Sequence, residues 1–133
     1  MFDLTGKTAL VTGATGGIGG AIARALYAQG ATVVLSGTRE AVLADLAKEL
    51  GERAHFATAN LSDPASVDAL VGVAEEVAGA PLDILVANAG ITKDGLLMRM
   101  KDEDFQSVLA VNLESYFRLS RAAMKGMMKR RSG

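Results

Sequence analysis

Short apolar runs alternate along the chain with stretches in which apolar residues recur three or four positions apart. A short apolar run bounded by turn residues is typical of a buried strand, and the wider spacing is typical of one face of a helix. The runs predict strands over residues 8–12, 32–35, 53–58 and 82–87. The wider spacing predicts a helix after each of the first three strands and a long helix from about Asp102 to Arg130, with a loop over residues 88–100.

Turn and capping residues separate the predicted elements. Gly30 and Gly51 follow the first two helices, where glycine commonly ends a helix. The segment Ser62-Asp63-Pro64 is typical of a helix start, because a capping side chain precedes a proline in the first turn. The fourth strand is apolar without interruption, as expected of a strand that is covered on both faces.

Repeated strand–helix units with short connections imply a parallel sheet with right-handed crossovers. We therefore predict one three-layer α/β domain over residues 1–133, a Rossmann-like half domain. Its four-stranded parallel sheet has the order 3-2-1-4 with helices on both faces, and a ligand crevice is expected where the order reverses. Strand 4 would be an open apolar edge, which tends to recruit another strand. We expect a homo-oligomer formed through this edge and the long C-terminal helix.

The first predicted strand runs directly into a glycine-rich turn, and a helix follows. Glycine lets an anion approach the backbone amides, and the helix start adds unpaired N–H groups and a positive dipole end. The pattern therefore predicts binding of the pyrophosphate of a dinucleotide, and the alternative is a tight turn that binds no ligand. The predicted cofactor-binding residues in this segment are Thr12, Gly13, Thr15, Gly17, Ile18 and Gly19.

The end of the second strand carries no carboxylate before Glu40. An acidic residue at this place binds the ribose 2′-hydroxyl of NAD, whereas an arginine accommodates the 2′-phosphate of NADP. Arg39, helped by the hydroxyls of Ser36 and Thr38, predicts NADP(H) as the cofactor. The alternative for Arg39 is a solvated residue in the first turn of the second helix.

The loops after strands 3 and 4 reach the same edge of the sheet. Asn60 and Leu61 follow strand 3, where the Asn60 amide has two open interpretations: a contact with the edge of the adenine, or a turn asparagine. Asn88, Ala89 and Gly90 follow strand 4 and complete the predicted cofactor site.

Composition and charge exclude several classes of function. The net charge of −1 argues against a general nucleic-acid-binding protein. The chain has no cysteine and one histidine, so we expect no metal site and interpret His55, within strand 3, as structural. No secretory signal precedes the first strand, and no uncharged run approaches the roughly 20 residues that span a bilayer. We expect a cytoplasmic protein without a membrane partner.

The pattern Thr12-Gly13-x-x-x-Gly17-x-Gly19 resembles the cofactor loop of the short-chain dehydrogenase/reductase family. The segment 88–90 resembles that family's Asn-Asn-Ala-Gly motif, although Ala87 replaces the first asparagine and would weaken hydrogen bonding at the strand end. Residues 91–105 resemble the bacterial 3-oxoacyl-(acyl-carrier-protein) reductases. The resemblance covers the whole chain as the N-terminal half of such an enzyme, and it implies NADPH-dependent reduction of a ketone in fatty acid biosynthesis.

The resemblance also implies roles for Asn112 and Arg131. Asn112 matches the family's catalytic asparagine, which holds a water in a proton relay; the alternative is an asparagine that kinks its helix and bonds to backbone. Arg131 is a candidate for docking the acyl-carrier protein, whereas basic residues at a helix end also complement the helix dipole. The family's catalytic serine, tyrosine and lysine normally lie beyond the end of this chain, and neither Tyr27 nor Tyr116 precedes a lysine by four residues.

Three interpretations of function stay open. The first is the nucleotide-binding half of a 3-oxoacyl-(acyl-carrier-protein) reductase that is inactive alone, because the chain stops before the catalytic segment. The second is an engineered, non-catalytic nucleotide-binding or self-assembling half-fold module. The third is an enzyme that becomes active with a separate C-terminal half. In each case we expect weak cofactor binding, because the groups that hold the nicotinamide end are missing.

Overall fold

The computed structural model describes residues 2–133. Four parallel strands form one sheet in the order β3-β2-β1-β4, which confirms the predicted order. The strands are β1 (Thr8–Val11), β2 (Thr32–Gly37), β3 (Ala54–Thr58) and β4 (Ile84–Val86). In the register of the sheet, Val11 lies opposite Leu35 on one side and Val86 on the other. The carboxyl ends of β1, β2 and β4 therefore meet at one edge.

Helices cover both faces of this sheet, as predicted. They are α1 (Gly17–Ala28), α2 (Glu40–Leu50), α3 (Pro64–Ala78), α4 (Asp102–Leu109) and α5 (Ser115–Arg130), with a short 3-10 turn at Leu97–Arg99. Successive residues of a strand point to opposite faces. Leu10 accordingly packs in the core on the α3 and α5 side, whereas Val11 packs in the core on the α1 and α2 side.

Local sequence explains where the helices begin and end. The Asp63 side chain accepts a hydrogen bond from the backbone N–H of Ala65 (3.2 Å), and Pro64 opens α3, as the capping pattern predicted. Gly79 takes a left-handed conformation (φ +69°) at the end of the same helix. These two ends fix the length of α3 between β3 and β4.

The predicted helical stretch from Asp102 to Arg130 is confirmed, but its middle is not a regular α-helix. A π-helical segment, Ala110–Glu114, separates α4 from α5. Here the Ser115 hydroxyl donates to the Val111 carbonyl, and the Asn112 side chain bonds to backbone outside the helix. The wider turn changes the helical periodicity, and Leu113 within this segment is 65% exposed.

The last strand is shorter and less covered than its sequence predicted. β4 contains three residues rather than six, and all three are only partly buried. It forms an edge of the sheet next to β1, as predicted.

An arginine links α5 to α3. Arg118 of α5 bonds to Glu114 (3.0 Å) and to Asp68 of α3 (2.9 Å), and these hydrogen bonds raise the pKa of Arg118.

Two further expectations concern isolated features. His55 lies within β3, where the sequence placed it, and pairs with Val34 of β2. Across residues 2–133, the structure contains no helix with both the length and the apolar character that a membrane crossing requires.

Candidate cofactor site

A groove of about 520 Å³ opens at the carboxyl ends of the strands, where the strand order reverses. This is the place where open α/β sheets bind their ligands. All thirteen predicted cofactor-binding residues line this one groove. They are Thr12, Gly13, Thr15, Gly17, Ile18, Gly19, Thr38, Arg39, Asn60, Leu61, Asn88, Ala89 and Gly90.

Thr12 joins the end of β1 to the loop after β4. Its hydroxyl oxygen accepts hydrogen bonds from the backbone N–H groups of Asn88 and Ala89, both at 3.1 Å. The Asn88 amide donates in turn to the carbonyls of Thr12 (3.3 Å) and Gly13 (3.4 Å). Thr12 is 1% exposed, so this network is shielded from water. Hydrogen bonds made by Thr12 and Asn88 therefore hold the end of β1 against the segment that follows β4, next to Ala87.

Two glycines of the turn are required by the backbone that packs against them. Gly13 has φ +64°, and a Cβ there would lie 2.9 Å from the Ala89 Cα atom. A Cβ at Gly19 would lie 2.1 Å from the Gly13 carbonyl oxygen. Gly17 differs, because a Cβ there would meet no atom within 4 Å. Gly13 and Gly19 shape the turn, whereas Gly17 faces open space along the groove.

The start of α1 presents backbone N–H groups to this open space. The first bond of the helix runs from the Gly20 N–H to the Gly16 carbonyl (2.8 Å). A helix leaves the N–H groups of its first turn without intrahelical partners, which at α1 are those of Gly17, Ile18 and Gly19. No acidic side chain lies in this first turn. The amides and the positive end of the helix dipole can therefore hold a phosphate group.

Arg39 is the one charged side chain in the described lining of the groove. It is exposed, it makes no capping hydrogen bond although Arg39 occupies the N-cap position of α2, and it takes part in none of the ion pairs found among residues 2–133. Ser36 is 1% exposed, so the accessible hydroxyl near Arg39 is that of Thr38 rather than that of Ser36. An unpaired guanidinium beside an exposed hydroxyl can form stronger hydrogen bonds with a ribose 2′-phosphate than with an unphosphorylated ribose.

Asn60 adopts the turn arrangement that was one of its two interpretations. Its side-chain oxygen accepts from the Ser62 N–H (3.0 Å), and its own N–H donates to the Ser66 hydroxyl (3.0 Å). Asn60 and Leu61 still line the groove. The turn therefore positions Asn60 beside the groove, and contact with an adenine remains a prediction.

Asn112 lies outside the lining of the groove and bonds to backbone. Its side-chain oxygen accepts from the Ile91 N–H (2.8 Å), and its side-chain nitrogen donates to the Ile91 carbonyl (2.8 Å). This is the arrangement expected of a structural asparagine, and a role in a proton relay stays a prediction. Ile91 and Val111 line the groove, so Asn112 holds one wall of the site in place.

Sequence reasoning omitted several lining residues from the predicted site. Most are direct neighbours of predicted residues, a signal that would have found them: Gly16, Gly37, Ala59, Ser62 and Ile91. Val111 also lines the groove and belongs to the π-helical segment, where the kink considered for Asn112 was the only signal. Among the described residues there is no group of three potential metal ligands.

Comparison with known proteins gives one consistent family. The sequence profile described as short chain dehydrogenase matches residues 7–133. Nodulation protein G of Rhizobium sp. (strain N33) is 57% identical over 133 residues, which are 100% of this chain and 54% of that protein. The 3-oxoacyl-(acyl-carrier-protein) reductase FabG of Escherichia coli (strain K12) is 48% identical over 131 residues, 98% of this chain and 53% of that protein.

A solved structure gives the same result in three dimensions. The 3-oxoacyl (acyl-carrier-protein) reductase from Agrobacterium tumefaciens C58, with NADP bound, is 36% identical with a TM-score of 0.89. The match covers 97% of this chain and 50% of that chain. The chain thus spans about half the length of the curated relatives it matches. By its sequence profile, its relatives and its fold, the chain belongs to the short chain dehydrogenase family.

Proposed function

We propose that this chain is the NADP(H)-binding half of a 3-oxoacyl-(acyl-carrier-protein) reductase of fatty acid biosynthesis, and that it does not reduce a ketone alone. The observation that carries the proposal is the groove at the carboxyl ends of the strands. It combines a helix start with free N–H groups, a glycine turn of the required shape, and one unpaired cation. The relatives that bear this name, and the one solved with NADP, support the assignment.

The choice of NADP(H) over NAD(H) rests on charge. A 2′-phosphate near Arg39 gains a charge-assisted hydrogen bond, and the described lining of the groove holds no carboxylate that would repel it. A carboxylate is what NAD-selective sites use to bind the ribose hydroxyls. Arg39 is therefore expected to favour the phosphorylated cofactor.

Absence of turnover follows from what a reduction requires. When bound, NADPH supplies a hydride, and the alkoxide that forms from the ketone needs a proton donor within hydrogen-bond reach. Tyr116 belongs to another groove beside β4, and Tyr27 does not line the cofactor groove. Neither tyrosine precedes a lysine by four residues. The described residues of the groove thus provide binding groups and no general acid.

Titration of NADPH by its own fluorescence tests the cofactor assignment. The chain has no tryptophan, so the nicotinamide is excited directly. Arg39→Ala is expected to weaken NADPH binding about 10- to 100-fold, the value of a charged hydrogen bond, and to leave NADH binding unchanged. Lys48→Ala is the matched control, because Lys48 is an exposed cation on the same helix outside the groove. Equal affinity for NADPH and NADH would contradict the proposal.

An assay with acetoacetyl substrates tests the catalytic part. The chain alone is expected to give no turnover above background, and addition of the part of the Rhizobium relative outside the matched residues is expected to restore it. Turnover by the chain alone would show that a catalytic group has been overlooked. The second interpretation, a non-catalytic or self-assembling module, would be favoured if the chain bound NADPH and the added part never restored activity.

We also propose partners and a location. The chain alone is expected to form homo-oligomers through the β4 edge and α5, where apolar side chains such as Met124 and Met128 are more than half exposed. Sedimentation of a monomer at high concentration would contradict this. Arg131, exposed after the end of α5, is proposed to dock an acyl-carrier protein, so Arg131→Glu should weaken that binding. We also propose a cytoplasmic location.

A further inference from the structure

The turn after β3 leaves Asn60 with one polar group for a ligand. Its backbone N–H donates to the Ser66 hydroxyl (3.0 Å), and its backbone carbonyl accepts from the Asp63 N–H (3.1 Å). Its side-chain oxygen accepts from the Ser62 N–H (3.0 Å). The side-chain NH₂ group has no partner among residues 2–133. Because Asn60 is exposed and lines the cofactor groove, this NH₂ group is available to a ligand there.

The Ser62 N–H decides which end of the Asn60 amide remains available. The oxygen and the nitrogen of an asparagine side chain have nearly the same shape, but only the oxygen accepts a hydrogen bond. Since the Ser62 N–H needs an acceptor, the oxygen stays in the turn and the nitrogen is directed away from it. Asn60 therefore offers a ligand a donor rather than an acceptor.

Leu61 adds a second donor next to the first. It lines the same groove, although its side chain packs against the core on the α3 side, and its backbone N–H has no partner among the described residues. The other exposed polar side chains that line the groove after β2 and β3 are Thr38, Arg39 and Ser62. A hydroxyl can donate or accept, and a guanidinium only donates. This end of the groove thus presents an excess of donors.

The base of the cofactor is the group expected at this end, a step that rests on the proposed cofactor function. Following the sheet order, the groove passes from the end of β1 to the end of β2 and then to the end of β3. These strand ends are followed by the glycine turn, by Arg39 and by Asn60, respectively. Because the cofactor runs from diphosphate through ribose to base, its base meets Asn60 and Leu61.

Two neighbouring donors match one kind of purine edge. Adenine presents its amino group, a donor, beside a ring-nitrogen acceptor, whereas a 6-oxopurine such as hypoxanthine presents two acceptors, O6 and N7, side by side. Against adenine, one of the two protein donors meets the amino group and gains no bond. We propose that the base end of the groove binds purine acceptors and does not recognise the 6-amino group, so that the hypoxanthine analogue of NADPH binds more tightly than NADPH.

Calorimetric titration with NADPH and with reduced nicotinamide hypoxanthine dinucleotide phosphate tests the proposal. The two compounds carry the same phosphates, riboses and nicotinamide, so the ratio of their dissociation constants reports on the base. We expect the hypoxanthine compound to bind about 2- to 10-fold more tightly, the value of one neutral hydrogen bond.

Two amide-to-acid substitutions show whether Asn60 sets this ratio. Asn60→Asp keeps an oxygen for the Ser62 N–H and replaces the NH₂ group by a second acceptor, so it should reverse the ratio in favour of NADPH. Gln106→Glu is the matched control, because it makes the same change at an exposed residue of α4 outside the groove, and it should leave the ratio unchanged. Thermal unfolding should show that both variants fold.

Hydrogen exchange provides a second readout, independent of activity. With the hypoxanthine compound bound, the backbone amide of Leu61 should gain protection, whereas that of Asn60, already bonded to Ser66, should change little. Equal affinity for the two compounds, tighter binding of NADPH by the unmodified chain, an equal effect of both substitutions or an unchanged Leu61 amide would overturn this proposal and leave the cofactor assignment standing. If neither compound binds, the cofactor assignment itself is wrong and this proposal fails with it.

Discussion

Gly19→Ala is expected to disrupt the glycine turn from within. The added Cβ would lie 2.1 Å from the Gly13 carbonyl oxygen and 2.7 Å from the Asn88 side-chain nitrogen. Real Cβ atoms essentially never come closer than 3.0 Å to another heavy atom, so the Gly13 carbonyl must move by about 0.9 Å. That carbonyl belongs to the backbone of the turn, so it cannot move as a side chain would.

The size of the effect follows from the bonds made by that carbonyl. The Gly13 oxygen accepts from the Gly16 N–H (3.2 Å) and from the Asn88 amide (3.4 Å). Loss of two hydrogen bonds costs about 1–3 kcal/mol, and forcing an atom into packed surroundings costs about 1–3 kcal/mol more. We therefore expect the free energy of unfolding to fall by about 2–6 kcal/mol, a large share of the stability of a small domain.

Urea unfolding followed by far-ultraviolet circular dichroism measures this change. Gly17→Ala is the matched control for stability, because a Cβ at Gly17 meets no atom within 4 Å. In a helix, alanine is favoured over glycine by about 0.5–1 kcal/mol, so this variant should be at least as stable as the unmodified chain. A loss below about 1 kcal/mol for Gly19→Ala, or equal losses for both variants, would refute the packing argument.

Three other substitutions test the contacts that hold the site. Thr12→Val keeps the side-chain shape but leaves the Ala89 N–H unpaired and removes one of the two acceptors of the Asn88 N–H, so urea unfolding should show a loss of about 1–3 kcal/mol, and Thr12→Ser should retain most of the stability. Asn112→Leu removes both bonds to Ile91 and should increase amide exchange at Ile91 at least about fivefold, the value of roughly 1 kcal/mol; unchanged exchange there would contradict the contact. Asp63→Ala should lower stability by about 1 kcal/mol and Asp63→Asn by much less; equal losses would contradict the capping role.

The order of the sheet and the place of the groove were predictable because their signals are local. Apolar runs and helical spacing alternate in this chain, and the handedness of crossovers then leaves few arrangements. The glycine turn, Arg39 and the segments after strands 3 and 4 each follow a strand, and parallel strands bring their carboxyl ends together. Residues far apart in sequence were therefore assigned correctly to one groove.

The π-helical segment and the true coverage of β4 depend on contacts between distant parts of the chain. Asn112 leaves the regular helical pattern because its amide finds both backbone groups of Ile91, and no local propensity encodes that meeting. The apolar sequence of β4 predicted cover on both faces, yet its burial depends on which elements pack beside it.

The sequence alone determined the parallel α/β arrangement, the glycine turn after β1 and the position of Arg39 after β2, since each depends on residue type and short spacing. The tertiary structure decided which polar groups are already engaged: Asn60 in its turn, Asn112 on Ile91, and Thr12 between two loops. It also decided how long β4 is and how far its predicted edge is covered. The physical reason is that a hydrogen bond or an exposed edge exists only relative to a neighbour, and neighbours distant in sequence are defined by folding.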